Sequence, residues 1–133
     1  MGYRSEVVLY VGPEVMAQFM VTMAKCQGAR ALCFADADEH VKDYRDVKGS
    51  MLFKWSWLKW YDTFPEVEAI NDFMDWCECE EVPTDEKDDE GNAKLVHATE
   101  FFKFIRLGED MDDSAQRGDA FWGDICIERG IGY

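Results

Sequence analysis

Between Ser50 and Trp76 the chain reads SMLFKWSWLKWYDTFPEVEAINDFMDW, a stretch that holds four of the five tryptophans. Any fold must cover that aromatic surface, so this stretch dictates where the core lies. From Met51 to Tyr61 the pattern has period two: Phe53, Trp55, Trp57 and Tyr61 fall on one side, Leu52, Lys54, Ser56, Leu58 and Trp60 on the other. This predicts a central strand with apolar cover on both faces. Thr63 and Glu66 have the spacing of a capping box, and Pro65 suits the first helical turn. Val67, Ile70, Met74 and Cys77, widened by Phe73 and Trp76, then form the stripe of a helix that packs on the sheet.

Upstream, Tyr3 to Val11 reads as a buried strand with Val7, Leu9 and Val11 on one face and Val8 and Tyr10 on the other. Gly12-Pro13 ends it and opens a helix whose stripe is Val15, Met16, Phe19, Met20 and Met23, with Gly28 placed to close it. Residues 29–49 are less periodic. Ala31, Leu32, Phe34 and Ala35 suit a short helix or strand, and the rest is polar enough for a surface loop. Its Asp36, Asp38, Glu39 and His40 read as a solvated acidic loop before they read as a cation site. Residues 80–94 are charged, contain Pro83 and Gly91, and are expected as a mobile acidic surface excursion. Leu95 to Leu107 resumes a strand, Gly108 breaks it, and a last strand from Asp124 to Arg129 is expected to pair with it across the loop EDMDDSAQRGD. The sum is a single α+β domain over 1–133. A mainly antiparallel four-stranded sheet carries helices packed on one face, in a ferredoxin-like layout with altered connectivity.

The chain carries 14 Lys plus Arg against 28 Asp plus Glu, a formal charge of −14. Such a field repels a phosphate backbone and favours a partner with a basic surface. The densest acids, and so the expected partner-binding residues, are Asp85, Glu86, Asp88, Asp89 and Glu90, with Glu109, Asp110, Asp112 and Asp113. Lys54 and Lys59 among the tryptophans superficially suit base stacking, yet two lysines do not outweigh that field. Asp110, Asp112 and Ser114 resemble the start of a calcium loop, but Ala115 sits where Gly is needed and Phe121 where a bidentate Glu is needed. Five cysteines without an apolar leader read as reduced thiols, and Cys77 and Cys79, two apart on a helix, face opposite ways and do not chelate one ion. No apolar run has the length of a membrane span. No nucleophile elbow, phosphate-binding glycine loop, zinc-protease motif or indicated triad is present, so neither metal nor cofactor is expected and no catalytic residue is assigned.

Three stretches resemble small, mostly uncharacterised accessory proteins of tailed phages: GYRSEV at 2–7, KWYDTFPEVEAINDFM at 59–74 and FKFIRLGED at 102–110. That family has no assigned catalytic residues, so none transfers. The resemblance implies action in the host cytoplasm, where small acidic proteins inhibit defence systems. The expectation is an acidic inhibitor, of anti-CRISPR or anti-restriction type, that blocks the basic nucleic-acid site of a host defence protein without binding nucleic acid or membrane itself. One rival is a small metal-dependent hydrolase acting on nucleotides through Asp36, His40 or the acids at 109–113. Another is a homodimeric structural or interaction protein, favoured if surplus aromatics such as Trp60 or Trp122 form an exposed contiguous patch.

Overall fold

Alternation in the first strand sorts its side chains onto two faces, and the fold covers both. The computed structural model describes residues 3–110, 112–121, 126–127 and 131–132. In β1 (Ser5–Val11), Val7, Leu9 and Val11 enter the larger core cluster, whereas Val8 and Tyr10 enter a smaller one behind the sheet. β1 is the middle strand of five, in the order β2-β3-β1-β6-β7, and every neighbouring pair is antiparallel. The others are β2 (Glu39–Lys42), β3 (Met51–Leu58), β6 (Phe102–Gly108) and β7 (Ser114–Arg117).

The helices α1 (Pro13–Lys25), α2 (Gln27–Phe34) and α3 (Pro65–Cys79) all contribute to the larger cluster, so they lie on one face, as expected. α1 buries Val15, Phe19 and Met23, and α3 buries Val67, Ile70, Phe73, Met74 and Cys77. Phe19 lies at the centre, with ring centroids 5.7 Å from Phe53 and 5.2 Å from Phe73. Burying aromatics of this size is the dominant favourable contribution to such a core. On the opposite face Val8, Tyr10, Leu52 and Ile105 are covered by Tyr44, Ala120 and Phe121.

The sheet has five strands where four were expected from the sequence, because two short segments with no apolar run of their own join it: β2, within the expected loop, pairs with β3, and β7 pairs with β6. The partner expected for β6, residues 124–129, lies largely outside the described residues. Its Cys126–Ile127 backbone pairs with Ile131–Gly132 instead. The strand expected over 95–107 is two strands, β5 (Ala93–His97) and β6, separated by a 3-10 turn at Ala98–Phe101.

Residues 80–94 are largely exposed and acidic, as expected, and they carry regular structure. β4 (Glu81–Lys87) and β5 form an antiparallel hairpin, with Thr84 Oγ1 donating to the Lys94 carbonyl at 2.9 Å. Asp88 Oδ1 accepts from the Glu90 and Asn92 N–H groups, each at 2.9 Å, and Gly91 adopts φ 83° to close the turn. An Asx-type turn of this kind is read from local side-chain geometry, which hydropathy alone misses.

Within 29–49, α2 begins at Gln27, so Gly28 lies inside a helix and does not close α1. α3 starts on Phe64, and no side-chain cap bond is made. Pro65 at the first helical position fixes that start one residue later than the capping box requires, which leaves Glu66 as a first-turn acid favoured by the helix dipole.

β3 carries the one change with consequences for the surface. Ser5 faces Leu58 but Val7 faces Trp55, so β3 places Ser56 and Trp57 where β1 has only Glu6. This β-bulge inverts the alternation beyond it. Leu58 and Trp60 therefore join Phe53 and Trp55 in the helix-side core, and Trp57 turns out with 66% of its surface exposed.

Candidate functional site

The expected partner-binding acids fall into two groups. Asp85, Glu86, Asp88, Asp89 and Glu90 are exposed on the β4–β5 hairpin, where Glu86 lies 3.6 Å from Lys94. Glu109, Asp110 and Asp112 are exposed on the β6–β7 turn, where Glu109 accepts the Arg4 N–H at 2.9 Å. The hairpin leads into the start of β6 and the turn follows its end. The seven residues of β6, about 20 Å of strand at ~3.3 Å per residue, run between the end that the hairpin adjoins and the turn. The groups are two surfaces at opposite ends of the sheet.

Asp113 differs from its neighbours because its carboxylate is engaged. It accepts from Arg106 Nη1 at 3.0 Å and Nη2 at 2.7 Å, and from the Tyr3 hydroxyl at 2.6 Å. The Arg106 guanidinium first, and the Tyr3 hydroxyl second, hold the Asp113 carboxyl down at about 2. A two-pronged guanidinium contact of this kind is both directional and strong for an ion pair.

Register explains why Arg106 is available. It lies opposite Val7 and therefore points to the helix-bearing face, beyond the region that the helices cover. On β7, Arg117 lies opposite Phe104 on the same face. It reaches α3, donating from Nη2 to Asp75 at 2.6 Å and to Glu78 at 2.7 Å. The two arginines, with Tyr3, Trp60, Phe104, Asp62 and Asn71, line a cleft of about 340 Å³. Trp60 and Phe104 pack with ring centroids 5.4 Å apart, and Asn71 Nδ2 donates to Asp62 at 3.4 Å. Sequence reading missed this cleft because arginines on separate strands and an aromatic placed by a bulge leave no linear motif. The one available signal was the pair Arg106 and Arg117 within an otherwise acidic segment.

The residues of the rival hydrolase do not converge. His40 stacks on Phe53 at a centroid distance of 4.6 Å, and burial lowers its pKa. Among the described residues no group of three or more His, Cys, Asp or Glu side chains is placed to hold a metal ion. Burial pushes the Cys33 and Cys77 thiols up to about 12, which keeps them from acting as thiolate nucleophiles. Cys77 is buried and Cys79 exposed, the opposed orientation expected. Of the aromatics named for the homodimer reading, Trp60 is only 8% exposed and Trp122 lies outside the described residues, whereas Trp57 is the exposed tryptophan among the large hydrophobics. No helix among the described residues is long and apolar enough to cross a membrane.

Comparison with protein-family models, with curated proteins and with solved structures finds no match.

Proposed function

We propose that the protein is a phage-encoded acidic inhibitor that docks on the basic, nucleic-acid-binding surface of a host defence protein in the host cytoplasm. The observation that carries this reading is the β4–β5 hairpin, which presents Asp85, Glu86, Asp88, Asp89 and Glu90 to solvent on a chain of charge −14. The turn of the hairpin is fixed by Asp88, so its charges meet a partner with little further ordering. Charge complementarity of this kind accelerates encounter and is sensitive to salt. The resemblance of 2–7, 59–74 and 102–110 to tailed-phage accessory proteins supplies the biological setting. The order β2-β3-β1-β6, with all the helices on one side, supports reading the core as a ferredoxin-like layout to which the hairpin and β7 are additions.

Changing Asp85 and Asp89 to Asn and Glu86 and Glu90 to Gln, while keeping Asp88, tests the reading without opening the turn. Association with a purified CRISPR effector or restriction endonuclease is measured at low and physiological salt. The on-rate of the variant at low salt is expected to fall about tenfold. Equal on-rates for variant and parent against every nuclease that the parent binds would refute the reading.

A further inference from the structure

The inner face of the β4–β5 hairpin borders a pocket. Val82 and Val96 are paired across the hairpin, and Val82 belongs to the helix-side core. Thr84 and Lys94, two residues further towards the turn, share that face by strand alternation. With Asp85 and Glu86 of the hairpin, Glu14 in the first turn of α1, and Glu100 and Phe101 of the 3-10 turn, these residues line a pocket of about 460 Å³. That volume lies within the ~300–1,000 Å³ usual for small-ligand sites. Val96 and Phe101, its apolar part, are only half-buried, and Asp85, Glu86, Lys94 and Glu100 are exposed, so the lining is open to a ligand.

Local charge and spacing narrow that ligand. Four carboxylates meet one ammonium in the lining, which attracts a cation. Among the described residues no three acids are grouped closely enough to hold a metal ion. An extended cation with several donors matches such spacing: a guanidinium spreads five N–H groups over a plane and packs on apolar and aromatic groups more readily than an ammonium does. The pocket already engages one cationic side chain of its own. Lys94 Nζ lies 3.6 Å from Glu86, with 56% of the lysine and 74% of the glutamate side chain exposed. So exposed a pair contributes little and yields to a better-matched cation. We infer that the pocket receives an arginine side chain from the partner's basic surface. Its stem lies on Val96 and Phe101, and its guanidinium displaces Lys94 from Glu86 and bonds to Glu100. The inference rests on the docking function and divides it in two: the charges of the hairpin turn speed encounter, and the pocket holds the bound state.

The test is titration of the full chain at low salt with Nα-acetylarginine amide and Nα-acetyllysine amide, followed by backbone amide shifts in NMR spectra. The arginine derivative is expected to bind saturably with a Kd on the order of 1 mM, moving the Val96 and Glu100 amides. The lysine derivative is expected to bind about threefold more weakly. Glu100→Gln, at an exposed position outside the hairpin, weakens arginine binding about fivefold and raises the off-rate of a bound nuclease to a similar extent, about fivefold. Lys94→Met removes the resident ammonium and tightens arginine binding about threefold, a gain that a disturbed fold does not produce. No saturable binding of the arginine derivative, equal binding of the lysine derivative, or an unchanged affinity in Glu100→Gln would overturn the inference. If the four hairpin substitutions still slow association, the docking function survives that result; on-rates left equal by those four substitutions remove the docking function itself.

Discussion

Replacing Asp113 by Asn removes the charge that joins the N-terminal strand to the β6–β7 turn. The carboxyl lies at about 2 in the fold against an ordinary value of 3.8. A shift of that size corresponds to ~2.4 kcal/mol at ~1.36 kcal/mol per unit. The Asp113 side chain is 35% exposed, so solvent screening reduces the contribution to about 1 kcal/mol. The sign follows from the direction. A depressed carboxyl favours the folded state above its unfolded pKa, and that stability is lost as pH falls from about 4 towards 2. About half is gone by pH 3. Urea unfolding of parent and Asp113→Asn, followed by circular dichroism, should differ by about 1 kcal/mol at pH 7 and by about half of that at pH 3. An equal difference at both pH values would show that the substitution disturbs packing, and that the ion pair with Arg106 contributes nothing of its own.

Two further substitutions probe the backbone. Gly118 has φ 83° and its Cβ would collide with the Phe102 carbonyl, so Gly118→Ala should lower stability by ~3 kcal/mol, read as a fall in the urea midpoint. Thr63→Ala should change stability by less than ~0.3 kcal/mol, because α3 is capped at Phe64 without a side-chain bond; a loss near 1 kcal/mol would restore the capping box.

The elements that sequence pattern revealed are those whose burial repeats along the chain. The two faces of β1 and the stripes of α1 and α3 were readable because one residue in two, or three to four in seven, must leave water. The bulge at Ser56 and Trp57 was not readable, since it depends on how β1 counts against β3. β7 was hidden for a related reason: Ser114 to Arg117 carries no apolar alternation, and only pairing with β6 makes it a strand. The acidic groups were visible as composition, yet their separation to opposite ends of β6 is a property of topology. The cleft was the least legible, because Tyr3, Trp60, Arg106 and Arg117 converge only after the sheet has formed.

The outward turn of Trp57 also furnishes an optical probe. An indole open to water emits at longer wavelength and is reached by a neutral quencher such as acrylamide, whereas Trp55 and Trp60 are shielded. Trp57 shares a shallow recess with Arg4, Leu107 and Glu109, so its emission monitors the end of the sheet that carries the β6–β7 turn. Any protein that settles there would announce itself, without a label, as a blue-shifted and protected fraction of the fluorescence.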